Sequence, residues 1–161
     1  MEETRVLNEL RTRFPGAVRD ALSLAGDDVL LVEREGFFRL AEALKAAPLD
    51  YALLLDLTCV DYLARSGCLE MVYTFLSLGR NHRLRVKITL PAGEARLPSL
   101  APLWKNADWL EREVHEMFGV DFEGHPGLRP LLLYEGFEGH PLRKDYPLRR
   151  RQPLIPLREE P

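Results

Sequence analysis

The composition of this 161-residue chain is that of a globular protein of about one domain. Hydrophobic residues make up 46% and charged residues 29%, which is enough to bury a sizeable core. The formal net charge of −3 argues against nucleic acid as the main partner, because phosphate binding usually requires a basic excess. No apolar run of about 18 residues and no apolar signal segment is present, so we expect a cytoplasmic chain without a membrane span.

Six helices and strands are predicted over the first 90 residues. They are a helix over 2–14, a strand over 29–32, a helix from Gly36 that stops before Pro48, a strand in the apolar run 51–55, and strands over 69–78 and 83–90 around a turn at 79–82. Because the run 51–55 is apolar at nearly every position, we expect a central strand covered on both faces. Cys59 and Cys68 are expected to be reduced and mostly buried, and two cysteines are too few to hold an iron–sulfur cluster.

The strand over 83–90 alternates between apolar and polar side chains. Its apolar residues are Leu84, Val86, Ile88 and Leu90, and its other residues are Arg83, Arg85, Lys87 and Thr89. Side chains of a strand point alternately to opposite faces, so one face is predicted to lie in the core. The other face is predicted to be a basic stripe, open to water or to an acidic partner.

The clearest helix runs from Trp104 to Phe118, after a loop at 92–102. Its apolar face is formed by Leu103, Ala107, Leu110, Val114 and Met117, and Gly119 is expected to end it. Beyond Val120 there is no regular period, and seven of the twelve prolines lie from Pro126 to Pro161. The elements together predict an α+β fold with a mixed, mostly antiparallel sheet packed with two to three helices. We divide it into a core domain over 1–120 and an extended, proline-rich loop and arm over 121–161.

The tetrapeptide Glu-Gly-His-Pro occurs twice, at 123–126 (the first motif) and at 138–141 (the second motif). With His115, the histidines His125 and His140 are candidate ligands of a metal-dependent hydrolase. Zinc ligands usually come in tight pairs such as His-Glu-x-x-His, and no second histidine follows His115 at that step. The alternative is a fixed surface in which each ring bonds a backbone carbonyl.

Three glutamates of the helix are candidates for acid–base chemistry: Glu111, Glu113 and Glu116. No nucleophile or set of oxyanion donors can be named beside them. Helical spacing puts Glu113 at the edge of the apolar face, where a partly buried carboxylate must be paired, and we expect a salt bridge to Arg129 or Arg143. Arg112 and Glu116 are spaced i,i+4 on the opposite side and are expected to pair in solvent.

The segment after the helix has the composition of a protein interface. Arg129, Arg143 and Lys144 offer donors for carboxylates of this chain or of a neighbour. Aromatic residues are interspersed with them, namely Trp104, Trp109, Phe118, Phe122, Phe137 and Tyr146. Aromatic and arginine anchors are typical of interfaces, so the residues favour a docking surface over an active site.

Several segments of this region share a signature with a known family. They are Glu111-Arg112-Glu113, the segment 116–119, the segment from Phe122 to Arg129, the segment 138–147 from the second motif through Lys144-Asp145-Tyr146-Pro147, and the earlier segments 57–62 and 103–109. These residues resemble the C subunit of the proton-pumping NADH-quinone oxidoreductase, respiratory complex I. The resemblance covers residues 50–148. The same fold family includes the J subunit of the NDH complex and a small part of energy-converting hydrogenases.

The resemblance implies a non-catalytic structural subunit of the peripheral arm, on the cytoplasmic side of the cell inner membrane. Enzymatic activity is then expected of the assembly, with FMN, iron–sulfur clusters and quinone held by partner subunits and no cofactor on this chain. The D subunit is the expected main partner, with the B and I subunits nearby. An equivalent small subunit of an NDH-type or hydrogenase complex is the alternative. Because the chain ends at Pro161, we expect a shorter arm than in many relatives.

Ten residues are expected to hold the helix to the following loops or to neighbouring subunits. They are Glu111, Arg112, Glu113, His125, Arg129, His140, Arg143, Lys144, Asp145 and Tyr146.

Overall fold

The structure, a computed structural model, describes residues 5–24, 26–149 and 151–153. The helices are α1 (Arg5–Arg13), α2 (Arg34–Lys45), α3 (Leu63–Ser66) and α4 (Ala107–Phe118), with a 3-10 turn over Ala92–Glu94. The strands are β1 (Val18–Leu24), β2 (Asp27–Val32), β3 (Leu53–Asp61), β4 (Cys68–Ser77), β5 (His82–Pro91), β6 (Arg96–Pro98) and β7 (Asp121–Glu123). The predicted positions 2–4, Arg150 and 154–161 lie outside the described residues.

Strands β1 to β5 form one sheet in the order β1-β2-β5-β4-β3. All neighbours are antiparallel except β2 and β5, which are parallel. A second sheet pairs the short strands β6 and β7 in parallel. The prediction of an α+β fold with a mostly antiparallel mixed sheet is therefore confirmed.

One face of the large sheet carries the core. The predicted apolar side of β5 is buried completely, as are Leu69, Met71, Tyr73 and Phe75 of β4. Helix α2 packs on this face through Phe37, whose ring centroid lies 4.7 Å from that of Tyr73. Trp104, at the approach to α4, packs on the same face at 5.0 Å from Phe75. Aromatic pairs at these spacings add packing energy beyond their buried area.

The other face of β5 is open to solvent in part, as predicted, and two of its basic side chains meet acidic ones of the neighbouring strands. Arg85 bonds Asp27 of β2 at 3.1 Å, and Lys87 bonds Glu70 of β4 at 2.7 Å. The sequence of this strand did not reveal that the acidic groups come from the same sheet, because it does not show which charges the neighbouring strands place opposite it.

The apolar run 51–55 was incorrectly predicted to be a central strand covered on both faces. Strand β3 lies at an edge of the sheet, and Leu53 and Leu55 are exposed. Its register with β4 shifts between Leu54 and Asp56, so the alternation of side chains between the two faces is interrupted there.

Strand β1 was not predicted, because it carries charged residues and has a register shift between Val18 and Asp20. The cysteines are both free, Cys59 buried and Cys68 half-buried, as expected.

Helix α4 begins at Ala107, three residues later than predicted. The preceding turns are tied to the start of β3, because Trp104 Nε1 donates to the Tyr51 carbonyl at 3.1 Å and Asn106 Nδ2 to the Leu54 carbonyl at 2.8 Å. Gly119 ends the helix with φ of +77°, as predicted from its position. Within the described ranges, no helix is long and apolar enough to cross a membrane.

Candidate functional site

Helix α4 carries three buried charged side chains, Glu111, Arg112 and Glu116. The expectation that Arg112 and Glu116 pair in solvent is wrong, and so is the expected burial of Glu113, which is exposed. The helix is covered by the sheet on one side and by the chain after β7 on another. Helical periodicity alone does not show this second covering layer, because that layer is irregular and distant in sequence.

Glu111 is held by groups from the end of β6. Ser99 Oγ donates to its Oε2 and the Leu100 amide to its Oε1, both at 2.6 Å. Burial raises the pKa of Glu111 from 4.5 to about 7, the two hydrogen bonds oppose that rise, and Asp108 adds to it. Burial, together with the nearby charge of Glu111, raises the pKa of Tyr73 on β4. Glu111 is thus a buried carboxyl whose desolvation outweighs its hydrogen bonds.

Arg112 fixes the backbone of the loop after the first motif. Its Nε donates to the Arg129 carbonyl at 3.1 Å and its Nη2 to the Pro130 carbonyl at 3.0 Å. The guanidinium also lies 5.0 Å from the centroid of the Trp109 ring. A planar fork that donates to two carbonyls and stacks on an aromatic ring is a role that lysine would not fill.

Glu116 accepts hydrogen bonds from three successive backbone amides. The Leu131 and Leu133 amides donate to Oε1 at 3.2 and 2.9 Å, and the Leu132 amide donates to Oε2 at 2.8 Å. Hydrogen bonds to a charged acceptor contribute about 1.5–3 kcal/mol each, so this carboxylate sets the local chain path. Arg112 satisfies carbonyls and Glu116 satisfies amides of the same loop.

The first motif fastens its loop to the first turn of α4. The His125 side chain is only 1% exposed, and its Nε2 lies 3.1 Å from the Asp108 carbonyl and 3.2 Å from Asp108 Oδ1. The Gly127 amide donates to His125 Nδ1 at 3.0 Å. The Glu111 carboxylate lies farther away, at 4.0 Å from Nε2.

The second motif fastens its loop to the last turn of α4. His140 Nδ1 donates to the Glu116 carbonyl at 3.0 Å, and the Leu142 amide donates to the Met117 carbonyl at 3.2 Å. These bonds satisfy carbonyls that a helix C-terminus leaves without partners. A Cβ at Gly119 would lie 2.6 Å from His140 Nε2, so the ring occupies space that only glycine leaves open.

The segment after the second motif is fixed at the end of β3. The Lys144 amide donates to Asp61 Oδ2 at 2.7 Å, while Asp61 Oδ1 accepts from the Leu63 amide at 2.7 Å. Arg143 makes a bidentate pair with Asp145, at 3.0 and 2.7 Å, and this hydrogen bonding holds the pKa of Asp145 below its ordinary value.

Tyr146 belongs to an aromatic row on this segment. Its ring stacks on Phe137 at 6.2 Å, and Phe137 packs edge-on against Tyr134 at 5.6 Å. Gln152 bonds both the Tyr146 hydroxyl and the Glu138 backbone. The chain around the second motif therefore has a small packed centre of its own.

The structure brings most of the ten predicted residues together around α4 and the loops that follow it. Their contacts differ from the predicted ones. Within the described ranges, neither Arg129 nor Arg143 makes a salt bridge to Glu113, and Arg129 contributes its carbonyl instead. Sequence reasoning also missed Ser99 and Asp61. Asp61 lies in one of the segments that resemble the family, which was the available signal.

The three candidate metal ligands do not converge. His115 Nδ1 bonds the Val120 carbonyl at 2.9 Å, whereas His125 and His140 bond carbonyls at opposite ends of α4. In the part of the chain that the structure describes, no group of three His, Cys, Asp or Glu residues is placed to hold a metal ion.

An open groove of about 640 Å³ lies between α2 and the small sheet. Its charged side chains face each other: Arg34 lies 3.5 Å from Glu94, and Arg96 lies 3.6 Å from Glu123. These are exposed pairs of ordinary surface type, and they do not form a convergent set of reactive groups.

Large apolar side chains are exposed on α4 and on the chain that wraps it. They are Trp109 (58% exposed), Leu132 (61%), Leu142 and Leu148. Leu132 sits on the loop that Glu116 fixes, and Trp109 packs on the arginine that fixes the same loop. An apolar surface held in one shape is suited to binding another protein, because little conformational entropy is lost on docking.

The fold and this site define a small α+β protein whose buried charges shape a surface around one helix. Residues 30–152 match the family described as the 30 kDa subunit of respiratory-chain NADH dehydrogenase. The chain belongs to this family.

Relatives with high coverage are named as the C subunit of NADH-quinone oxidoreductase. The protein of Citrifermentans bemidjiense is 38% identical over 147 residues, and that of Geobacter metallireducens is 39% identical over 148 residues; 91% of each chain is covered in both cases. The C/D subunit of NADH-quinone oxidoreductase from Proteus mirabilis is 38% identical over 155 residues, which cover 91% of this chain and 26% of that protein.

Solved structures with the same fold include the following two. The trypsin-resistant fragment (1–134) of Nqo5 matches with a TM-score of 0.68 at 34% identity, covering 77% of this chain and 97% of the fragment. A chain of the membrane-bound sulfane sulfur reductase, an archaeal respiratory membrane complex, matches with a TM-score of 0.73 at 25% identity, covering 89% of this chain and 84% of its own length. The relatives thus belong to respiratory complexes.

Proposed function

We propose that this chain is a non-catalytic structural subunit in the peripheral arm of a proton-translocating NADH-quinone oxidoreductase. It braces the quinone-reducing module against the D subunit, and it lies on the cytoplasmic side of the inner membrane. FMN, iron–sulfur clusters and quinone belong to partner subunits, and the B and I subunits are further neighbours. The observation that carries the proposal is the existence of relatives in which regions named C and D share one polypeptide.

The geometry of α4 supports a bracing role. Glu111 and Glu116 are the buried members of the predicted acid–base candidates, and both are engaged in holding backbone groups. The buried Arg112 holds backbone carbonyls as well. The carbonyls and amides that they bind belong to irregular segments, whose shape would otherwise vary. Their charge is therefore used to fix a surface.

The docking surface that we propose includes Trp109 and Leu132. Aromatic side chains and arginine are enriched among the anchors of protein interfaces. The arm over 121–161 extends this surface, with exposed Lys144 and Leu148 in its described part. We propose that the arm reaches neighbouring subunits, which agrees with its many prolines.

Paired substitutions in the native complex test this proposal. We expect Leu132→Ala to lower the amount of the D subunit that co-purifies with this chain, together with quinone-linked NADH oxidation by membranes. Leu78 is a matched control, since it is exposed to a similar extent (65%) on the turn between β4 and β5. Leu78→Ala should assemble normally. Equal assembly of both variants, with both isolated chains folded, would refute the proposed surface.

The archaeal neighbour favours one second candidate, an equivalent small subunit of a related respiratory complex. The two candidates differ in the large subunit that the chain binds. Mass spectrometry of proteins that co-purify with the native chain distinguishes them, because only the first candidate predicts NADH-oxidising subunits in the same complex.

A further inference from the structure

The residues that follow Tyr146 form a loop that Gln152 closes. Gln152 bonds the Glu138 backbone twice, since its Nε2 donates to the carbonyl and its Oε1 accepts from the amide, both at 3.0 Å. The same Nε2 bonds the Tyr146 hydroxyl. We call residues 147–151 the basic loop; its described residues are 147–149 and 151. Because both of its ends are anchored, its backbone is restrained before any partner binds.

The basic loop lies in a strongly basic part of an acidic chain. Residues 142–153 include five basic residues and one acidic residue, a formal charge of +4, whereas the whole chain has a charge of −3. The acidic residue is Asp145, which is already paired with Arg143 at 2.7 Å. Three exposed cations form no salt bridge in the part of the chain that the structure describes, namely Lys144, Arg149 and Arg151. These charges are open to the carboxylates of a partner.

Leu148 is the apolar side chain of the basic loop. It is 97% exposed, more than any other large apolar side chain in the described ranges, and it lies between Pro147 and Arg149 in the sequence. Burial of an exposed leucine against a partner is favourable, and guanidinium groups pair with carboxylates through two parallel hydrogen bonds. The surface that complements the basic loop is therefore a shallow apolar site with acidic residues at its rim.

The charge of the rest of the chain favours a protein over a lipid bilayer as the bearer of this acidic surface. Since residues 142–153 contribute +4 to a total of −3, all other residues together contribute −7. An anionic bilayer is a wide surface, and it would repel that acidic remainder. A patch of carboxylates on a protein acts on the basic loop alone, because exposed charges more than about 8–10 Å apart are largely screened at physiological salt.

We propose that the basic loop is a preformed docking element for an acidic surface of a partner protein. Leu148 enters a shallow apolar site of the partner, and Arg149, Arg151 and Lys144 pair with carboxylates around that site. This inference rests on the proposed function in taking the arm to lie in a subunit interface. It adds the chemistry of the partner surface and a contact separate from that of Leu132.

Carbodiimide coupling in native membranes tests the proposal, because this reagent joins an amine directly to a carboxylate in contact with it. Arg149→Lys keeps the charge of the basic loop and supplies an amine there. Mass spectrometry should then find position 149 joined to an aspartate or a glutamate of a partner subunit. The matched control is Arg83→Lys, since Arg83 is exposed on β5 and forms no salt bridge with the described residues. It should give no cross-link to a partner.

Four results would overturn the proposal. They are no cross-link to a partner protein from position 149, coupling of position 149 to a carboxylate of this chain, coupling to a lipid headgroup, and a cross-link to a partner from position 83 instead. Co-purification of the D subunit, measured in the same membranes, tests the proposed function separately. If the D subunit co-purifies and position 149 forms no partner cross-link, the basic loop is refuted and the proposed function stands. If the D subunit does not co-purify, the proposed function is refuted, and the cross-link from position 149 still decides whether the basic loop binds a protein.

Discussion

The buried carboxyl of Glu111 makes the stability of this protein depend on pH in a predictable direction. Burial raises its folded pKa to about 7 from 4.5, so the folded chain binds this proton more tightly than the unfolded chain does. The free energy of unfolding contributed by this group is therefore highest below about pH 4.5, falls as the pH rises to about 7, and then levels off. At 1.36 kcal/mol for each unit of pKa, the difference is about 3 kcal/mol.

Glu111→Gln should remove this dependence. The side-chain oxygen of the glutamine can accept a hydrogen bond from the Leu100 amide, and its NH₂ group can donate one to Ser99 Oγ. Both contacts are therefore retained without a charge. Relative to the unmodified chain, the variant should gain about 3 kcal/mol in free energy of unfolding between pH 4.5 and pH 8. Other titrating groups are present in both proteins, so the difference between them isolates Glu111.

Urea unfolding at a series of pH values provides the assay. Glu113→Gln is the matched control, because Glu113 is exposed on the same helix and its loss should leave the pH profile unchanged. A Glu111→Gln profile parallel to that of the unmodified chain would show that Glu111 is ionised in the folded state at no cost. The reasoning about its desolvation would then be refuted.

Two further substitutions test the contacts that shape the surface. Gly119→Ala should lower the free energy of unfolding, measured in urea, by about 2–3 kcal/mol, because φ is positive at this position and the new Cβ would collide with His140. The control is Gly93→Ala, which adds its Cβ in open space and should have little effect. Glu116→Gln should lower the free energy of unfolding by about 2 kcal/mol and speed amide hydrogen exchange at residues 131–133. The reason is that a neutral amide replaces a carboxylate that accepts three hydrogen bonds. Unchanged exchange at these residues would contradict this role of Glu116.

The elements with regular periodicity were predictable from the sequence. The alternation in β5 gave its buried face, and the spacing from Ala107 to Met117, followed by Gly119, gave most of α4 and its end. These features depend on neighbours within a few residues, where backbone geometry fixes which side chains share a face. The general class of fold followed from them.

The partners of α4 were not predictable in the same way. Glu111 and Glu116 are buried by segments that are 11 to 17 residues away in sequence and follow no regular period. For a related reason, strand β3 was predicted to be central although it lies at an edge of the sheet. An apolar run in the sequence does not show how many strands pair with it. The prediction that the histidines of the doubled motif bond backbone carbonyls was correct. The sequence does not show that His125 uses Nε2 and His140 uses Nδ1, because the choice of ring nitrogen depends on three-dimensional geometry.

The most direct test of the central claim is photo-crosslinking from position 132 in native membranes. A photoreactive residue that replaces Leu132 should form its main cross-link with the D subunit, and one that replaces Leu78 should not. The claim that the chain docks through the surface fixed by α4 would be contradicted by either of two results. One is no cross-link to the D subunit from position 132, and the other is a cross-link to it from position 78 instead.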